Sequence, residues 1–133
     1  VNADLIARAL VGPGSPAAIT DAISRRAAAI ADALREQHVA RRESFVTETV
    51  FSDPAGAKLR FLANARERGY FVTLVFIGLE SAAVSQGRVL SRVAKGGHDV
   101  PPERIAARYP RTLANLARAL PQVDAALLYD NSD

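Results

Sequence analysis

Residues 71–77 read Phe-Val-Thr-Leu-Val-Phe-Ile, apolar at every position but one. A run this short is a strand length, and a run that does not alternate is the kind buried on both faces of a parallel sheet. Even widened to YFVTLVFIGL it falls well short of the roughly 18 residues of a membrane span. The segments around it fit a parallel sheet. Val1 and Asn2 look like a strand end, with a short helix over residues 5–10 and a turn-rich VGPGSP loop after it. Ile19 to His38 has an amphipathic helical pattern, with Ile19, Ile23, Ile30 and Leu34 on one stripe. SFVTET, residues 44–49, is strand-like in composition.

Asp53 and Pro54 suit a helix start, and Gly69 suits its end. Residues 81–94 read as helix. A further helix is expected from Pro102 to Leu120, kinked or broken at Pro110. Residues 123–129 read as a last strand. Strands and helices thus alternate along the chain, which argues an α/β fold with a parallel sheet and helices on both faces. Ligands in such sheets bind beyond the carboxyl ends of the strands. That rule selects Asp4, Thr47, Glu48, Thr49, Gly78 and the residues after Tyr129.

The chain has 133 residues, enough for one domain with a core. Cysteine is absent, so disulfides and thiolate chemistry are excluded; this fits the cytoplasm. Methionine is absent too, even at position 1, and the last apolar run stops close to residue 133. Both ends therefore read as truncations, so the chain is expected to be a fragment or a processed product. The net charge is +3. Residues 86–111 hold Arg88, Arg92, Lys95, Arg104, Arg108 and Arg111 against Asp99 and Glu103. Such local positive charge favours an anionic partner.

Asp4, beyond the first strand end, could take a proton from a substrate hydroxyl, or cap the helix that follows. Thr47, Glu48 and Thr49 end the second strand; an acid between two hydroxyls could hold a polyhydroxyl ligand or orient a metal's waters, or simply cap a helix. Arg88 and Arg92 share a helix face at i, i+4. Arg104, Arg108 and Arg111 follow i, i+4, i+7, provided Pro110 keeps the helix in phase. They border an apolar stripe of Ile105, Tyr109, Leu113, Leu116 and Leu120. Two arginine rows across the Gly96–Gly97 hinge would clamp phosphate oxygens; the plainer reading is a solvated arginine face. His98 could be a phosphate donor, an acid or base, or a loop residue. His38 lies far from it, which rejects a zinc site, and no Gly-x-Ser-x-Gly elbow supports a serine triad. The dipeptide Gly-Lys occurs nowhere, so a Walker A motif is missing.

VNADLIA, FVTETVFS, ANARERGYFVTLVFIGL, QGRVLSRVAKGGHDVPPERIAARYPRTLANL and LLYDNSD together resemble the zeta toxin family of small P-loop kinases, in order and over nearly the whole chain. The resemblance implies a three-layer P-loop-kinase-like sheet flanked by helices, one domain over residues 1–133, and a helical lid over residues 86–111. It implies ATP and Mg2+ as cofactors. It also implies phosphorylation of a hydroxyl on a small molecule, a nucleotide sugar such as UDP-N-acetylglucosamine being the default. An antitoxin would be a protein partner. Asp4 matches the base, and Thr47, Glu48 and Thr49 the acid segment near substrate. Arg88 and Arg92 match the lid's phosphate arginines, His98 a lid histidine, and Asn131 the nucleotide side. The family's Walker A segment should precede Val1. An alternative reading is a non-catalytic relic that binds nucleotides or polyanions through its basic lid. The few aromatics available to stack bases argue against nucleic acid as its ligand.

Overall fold

The computed structural model describes residues 1–12, 19–94 and 101–132. The expected Gly96–Gly97 hinge, Lys95 and His98 lie outside the described residues, as do most of the VGPGSP loop and the Arg92 side chain. The elements run α1 (Ala3–Val11), α2 (Asp21–Arg41), α3 (Ala57–Glu67), β1 (Thr73–Gly78), α4 (Ala82–Ala94), α5 (Pro102–Ala119) and β2 (Ala125–Asp130). The chain divides into two compact units, residues 1–49 with 92–98 and residues 50–91 with 99–133.

In the first unit α1 packs on α2. Thr20 caps α2, its hydroxyl accepting from Ile23 N at 3.3 Å, and Arg42 closes the helix in the left-handed region. The buried line of α2 is Ala27, Ala31, Arg35 and Val39, one residue every fourth position. The expected isoleucine and leucine stripe is only half-buried. Ala7, Ala27 and Ala31 are buried, and side chains that small let two helices approach closely.

Two expected strands do not form. Residues 1–2 and 44–49 are irregular. They do run side by side: Val1 N donates to the Val46 carbonyl, and Glu48 N donates to the Val1 carbonyl at 2.9 Å. That is the bond pair of a single parallel bridge. A strand needs a run of such bonds, and β-propensity without a longer partner does not supply one.

In the second unit β1 and β2 form a two-stranded parallel sheet, in register from Thr73–Ala125 to Gly78–Asp130. Asp124 fixes its start. One carboxylate oxygen accepts from Val72 N at 2.7 Å, and the other pairs with Arg66 at 3.0 Å. The apolar run is not buried on both faces as expected. Leu74 and Phe76 are half-buried, whereas Val75 and Ile77 are 54% and 64% exposed. Among the described residues β2 is the one hydrogen-bonded neighbour of β1.

The core of this unit is Phe51, Leu59 and Ala119, joined by Leu62 and Leu74. It ties α3 and α5 to the loop before α3. Phe51 has φ 61, a left-handed conformation that a bulky residue adopts only when its surroundings impose it. Asn115 contributes to that. It is 5% exposed, and its Nδ2 donates to the Phe51 carbonyl at 3.0 Å and the Asp53 carbonyl at 3.1 Å. α3 starts at Ala57, later than Asp53, because Asp53 and Pro54 belong to this tied loop; Asp53 Oδ2 still accepts from Ala57 N.

α5 is continuous through Pro110, against the expected kink or break. Pro110 lacks the N–H that would bond the carbonyl four residues back. The flanking side chains hold the helix instead. Tyr109 donates to the Leu79 carbonyl at 2.9 Å, and Thr112 donates to the Val50 carbonyl at 3.2 Å. The buried positions of α5 are Ile105, Asn115 and Ala119. The buried face is therefore rotated from the expected stripe, and Leu113 and Leu120 are left 41% and 38% exposed.

Candidate functional site

In the first unit α1 begins one residue before Asp4, so Asp4 lies in its first turn. The cap is Asn2. Its Oδ1 accepts from Asp4 N at 2.8 Å and from Leu5 N at 3.1 Å. The capping role weighed for Asp4 is thereby filled by its neighbour, and the Asp4 carboxylate is exposed. The partial positive charge of the α1 terminus lies beside it.

The same Asn2 side chain reaches the acid of the second segment. Its Nδ2 donates to Glu48 Oε2 at 2.7 Å. One amide thus holds the backbone under Asp4 and the carboxylate of Glu48. Thr47 is not free for a ligand: its hydroxyl donates to the Val1 carbonyl at 3.2 Å and accepts from Arg35 Nη1 at 2.9 Å. Arg35 comes from the buried line of α2, is 5% exposed, and also donates to Asp32. Thr49 is exposed. Asp4, Thr47 and Glu48 are therefore brought into one bonded cluster by Asn2, Val1 and Arg35.

In the second unit the strand ends are laced together. Asn131 N donates to the Gly78 carbonyl at 2.9 Å, and Glu80 N donates to Ser132 Oγ at 2.8 Å. Asp130 Oδ1 accepts from the Ser132 amide at 3.0 Å and from its hydroxyl. Arg88 on α4 donates to the Asn131 carbonyl. The expected phosphate arginine and the expected nucleotide-side residue are thus in contact. An open groove of about 340 Å³ lies at this carboxyl end of the sheet, lined by Phe76, Leu113, Leu116 and Leu128 together with Glu80 and Asp130. That is where parallel sheets hold ligands. Because α5 is unbroken, Arg104, Arg108 and Arg111 do share one stripe, with Arg104 and Arg111 exposed and Arg108 half-buried.

The family model described as Zeta toxin matches residues 13–133. The chain belongs to the zeta toxin family. Membership points to a kinase-like P-loop fold. Comparison with curated proteins and with solved structures gives no match. The family match covers the Thr47–Glu48–Thr49 segment, α4, α5 and the loop after β2, and starts after α1. The reading of Asn2 and Asp4 rests on the geometry at the start of α1 and on the VNADLIA resemblance.

ATP and Mg2+ can be tested against these residues. Guanidinium groups suit phosphate oxygens, and Arg88, Arg104 and Arg111 supply them at exposed positions. Mg2+ takes oxygen ligands, but no group of three or more metal-ligating side chains occurs among the described residues.

Asn2 and Arg35 build the site in the first unit, and neither is among the site residues expected from the sequence. Asn2 had a signal, since an asparagine just before an apolar helical run is a cap. Arg35 had one too, lying on the four-residue line Ala27, Ala31, Val39.

Proposed function

We propose that the chain belongs to an ATP-dependent kinase that phosphorylates a hydroxyl of a small molecule. The default acceptor class is a nucleotide sugar such as UDP-N-acetylglucosamine. The observation that carries the reading is the Asn2 cap, which leaves the Asp4 carboxylate exposed and places Glu48 on the same amide. Asp4 accepts the proton of the acceptor hydroxyl. The hydroxyl oxygen bonds to the terminal phosphorus of ATP, and the bond from that phosphorus to the nucleoside diphosphate oxygen breaks with its electron pair. A positioned base of this kind contributes about 100- to 10,000-fold in rate. Glu48 orients the acceptor, with Thr47 as its support and Thr49 beside it.

Arg88 and Arg92 neutralise the charge that moves to the leaving oxygens, with Arg104, Arg108 and Arg111 as further phosphate contacts. His98 is a substrate-side contact, and Asn131 borders the nucleotide. Residues 86–111 are the lid of one domain whose sheet has helices on both faces. Family membership supports a small-molecule substrate and an antitoxin as partner. No helix among the described residues is long and apolar enough to cross a membrane, and the cytoplasm is the proposed compartment.

The test is product identification. The full chain, with any coding sequence upstream of Val1, is incubated with Mg-ATP and UDP-N-acetylglucosamine, and 31P spectra are recorded. A new phosphomonoester on the sugar supports the reading. Unchanged sugar, with ATP intact across a panel of nucleotide sugars, removes it. The second reading, a polyanion-binding module, draws on the exposed Arg104 and Arg111; it requires binding that weakens steeply with salt and shows no turnover.

A further inference from the structure

We infer that Asn2 is a positioning residue of the acceptor site, setting Glu48 relative to Asp4 by dividing one side-chain amide between them. This rests on the kinase reading above and deepens it. The orientation of the amide is fixed by its partners. Oδ1 faces two backbone N–H groups, those of Asp4 and Leu5, and Nδ2 faces a carboxylate. Turning the amide over would set donors against donors and an oxygen against Glu48, so a single orientation satisfies every group.

A second path converges on the same segment. The buried Arg35 guanidinium holds the Thr47 hydroxyl, which holds the Val1 carbonyl, which accepts Glu48 N at 2.9 Å. Glu48 is therefore fixed at its backbone through Val1 and at its carboxylate through Asn2, the two residues that lead into α1. An exposed glutamate with neither restraint would sample many rotamers and lose entropy on engaging a substrate. The same bonds leave Glu48 Oε2 with an acceptor position taken, so the substrate meets a carboxylate already turned one way.

The cap and the reach to Glu48 can be separated by substitution. Serine and aspartate cap a helix about as well as asparagine, but the serine hydroxyl stops one bond short of the place of Asn2 Nδ2, and aspartate has no donor for Glu48. Asn2→Ser is expected to keep the helix content and thermal midpoint of the parent, and Asn2→Asp to keep the helix content while its carboxylate repels that of Glu48. They are expected to lower the rate of acceptor phosphorylation about 10- to 100-fold, the scale of a misplaced catalytic group, with KM for ATP unchanged.

If Asn2 acts through Glu48, the double variant Asn2→Ser with Glu48→Gln is no slower than Glu48→Gln alone. Parent-like rates in both single variants, or additive losses in the double variant, overturn the inference. Asp4→Asn run alongside keeps the two levels apart. If it is inactive while Asn2→Ser matches the parent, the positioning role alone falls. If Asp4→Asn turns over like the parent, the kinase role of Asp4 falls and the positioning role falls with it.

Discussion

Arg35 and Thr47 are joined through the interior of the first unit: the guanidinium Nη1 of a residue only 5% exposed donates to the Thr47 hydroxyl at 2.9 Å. A buried cation on a helix face otherwise made of alanine and valine is costly unless its hydrogen bonds are met. Arg35→Ala leaves a cavity and strips Thr47 of a donor. It is expected to destabilise the fold by about 3 kcal/mol. Arg35→Met fills most of the volume without a charge and is expected to cost about 1 kcal/mol or less. Urea denaturation of the two variants checks the contrast. Equal losses would mean that the bond to Thr47, not packing, is what Arg35 supplies.

Asn115 holds a backbone that would not otherwise be stable. Its amide satisfies two carbonyls in the loop where Phe51 has a positive φ. Asn115→Ala leaves both carbonyls without that donor and is expected to cost about 2–3 kcal/mol. Asn115→Asp should be at least as damaging, since a carboxylate would face carbonyl oxygens. Differential scanning calorimetry gives the measurement. An unchanged midpoint in both variants would show that water replaces the amide.

Pro110 sits inside a continuous helix and forgoes one backbone bond. Pro110→Ala restores the N–H and a better helix former, and is expected to stabilise the fold by about 2 kcal/mol. A loss of stability would mean that the ring packs in a way alanine cannot replace. Activity read on the same variant shows whether the phase of Arg111 matters to the reaction.

Arg88 lies on the carbonyl of Asn131, at the end of the sheet where the groove opens. Arg88→Ala is expected to lower kcat about 100-fold or more while leaving the thermal midpoint near that of the parent, because the residue is exposed. Arg88→Lys keeps a charge but not the forked donor, so it is expected to recover only part of the rate. A variant with parent kcat and reduced stability would make Arg88 a tie between α4 and the β2 end, with no part in phosphate binding.

How much of this was legible in the sequence depends on which partner each residue needs. α2, α4, α5 and β1 follow from periodicity and composition, and the end of α3 and the start of α5 from the punctuation of Gly69 and Pro102, because those signals are local. Val1, Asn2 and residues 44–49 have the composition of strands, yet a strand exists only where a neighbour completes the ladder. Asn115 reads as a surface residue of an amphipathic helix; nothing local shows that its amide will meet two loop carbonyls more than 60 positions away. Pro110 reads as a break because propensity is local, while the bonds from Tyr109 and Thr112 that carry α5 past it are tertiary. At the site, Asp4 and Glu48 could be singled out by position, but their link through Asn2 spans 46 positions and belongs to the folded chain.

The most direct test of the central claim is the rate of acceptor-dependent ATP consumption by the full chain with UDP-N-acetylglucosamine, in the parent and in Asp4→Asn. The substitution keeps the size of the side chain and the Asn2 cap beneath it while removing the base. The expected result is sugar-dependent turnover in the parent and a loss of about 100-fold or more in the variant, with the thermal midpoint unchanged. Turnover that survives the substitution intact would contradict the role of Asp4. With it would go the reading of the Asn2–Asp4–Glu48 cluster as an acceptor site.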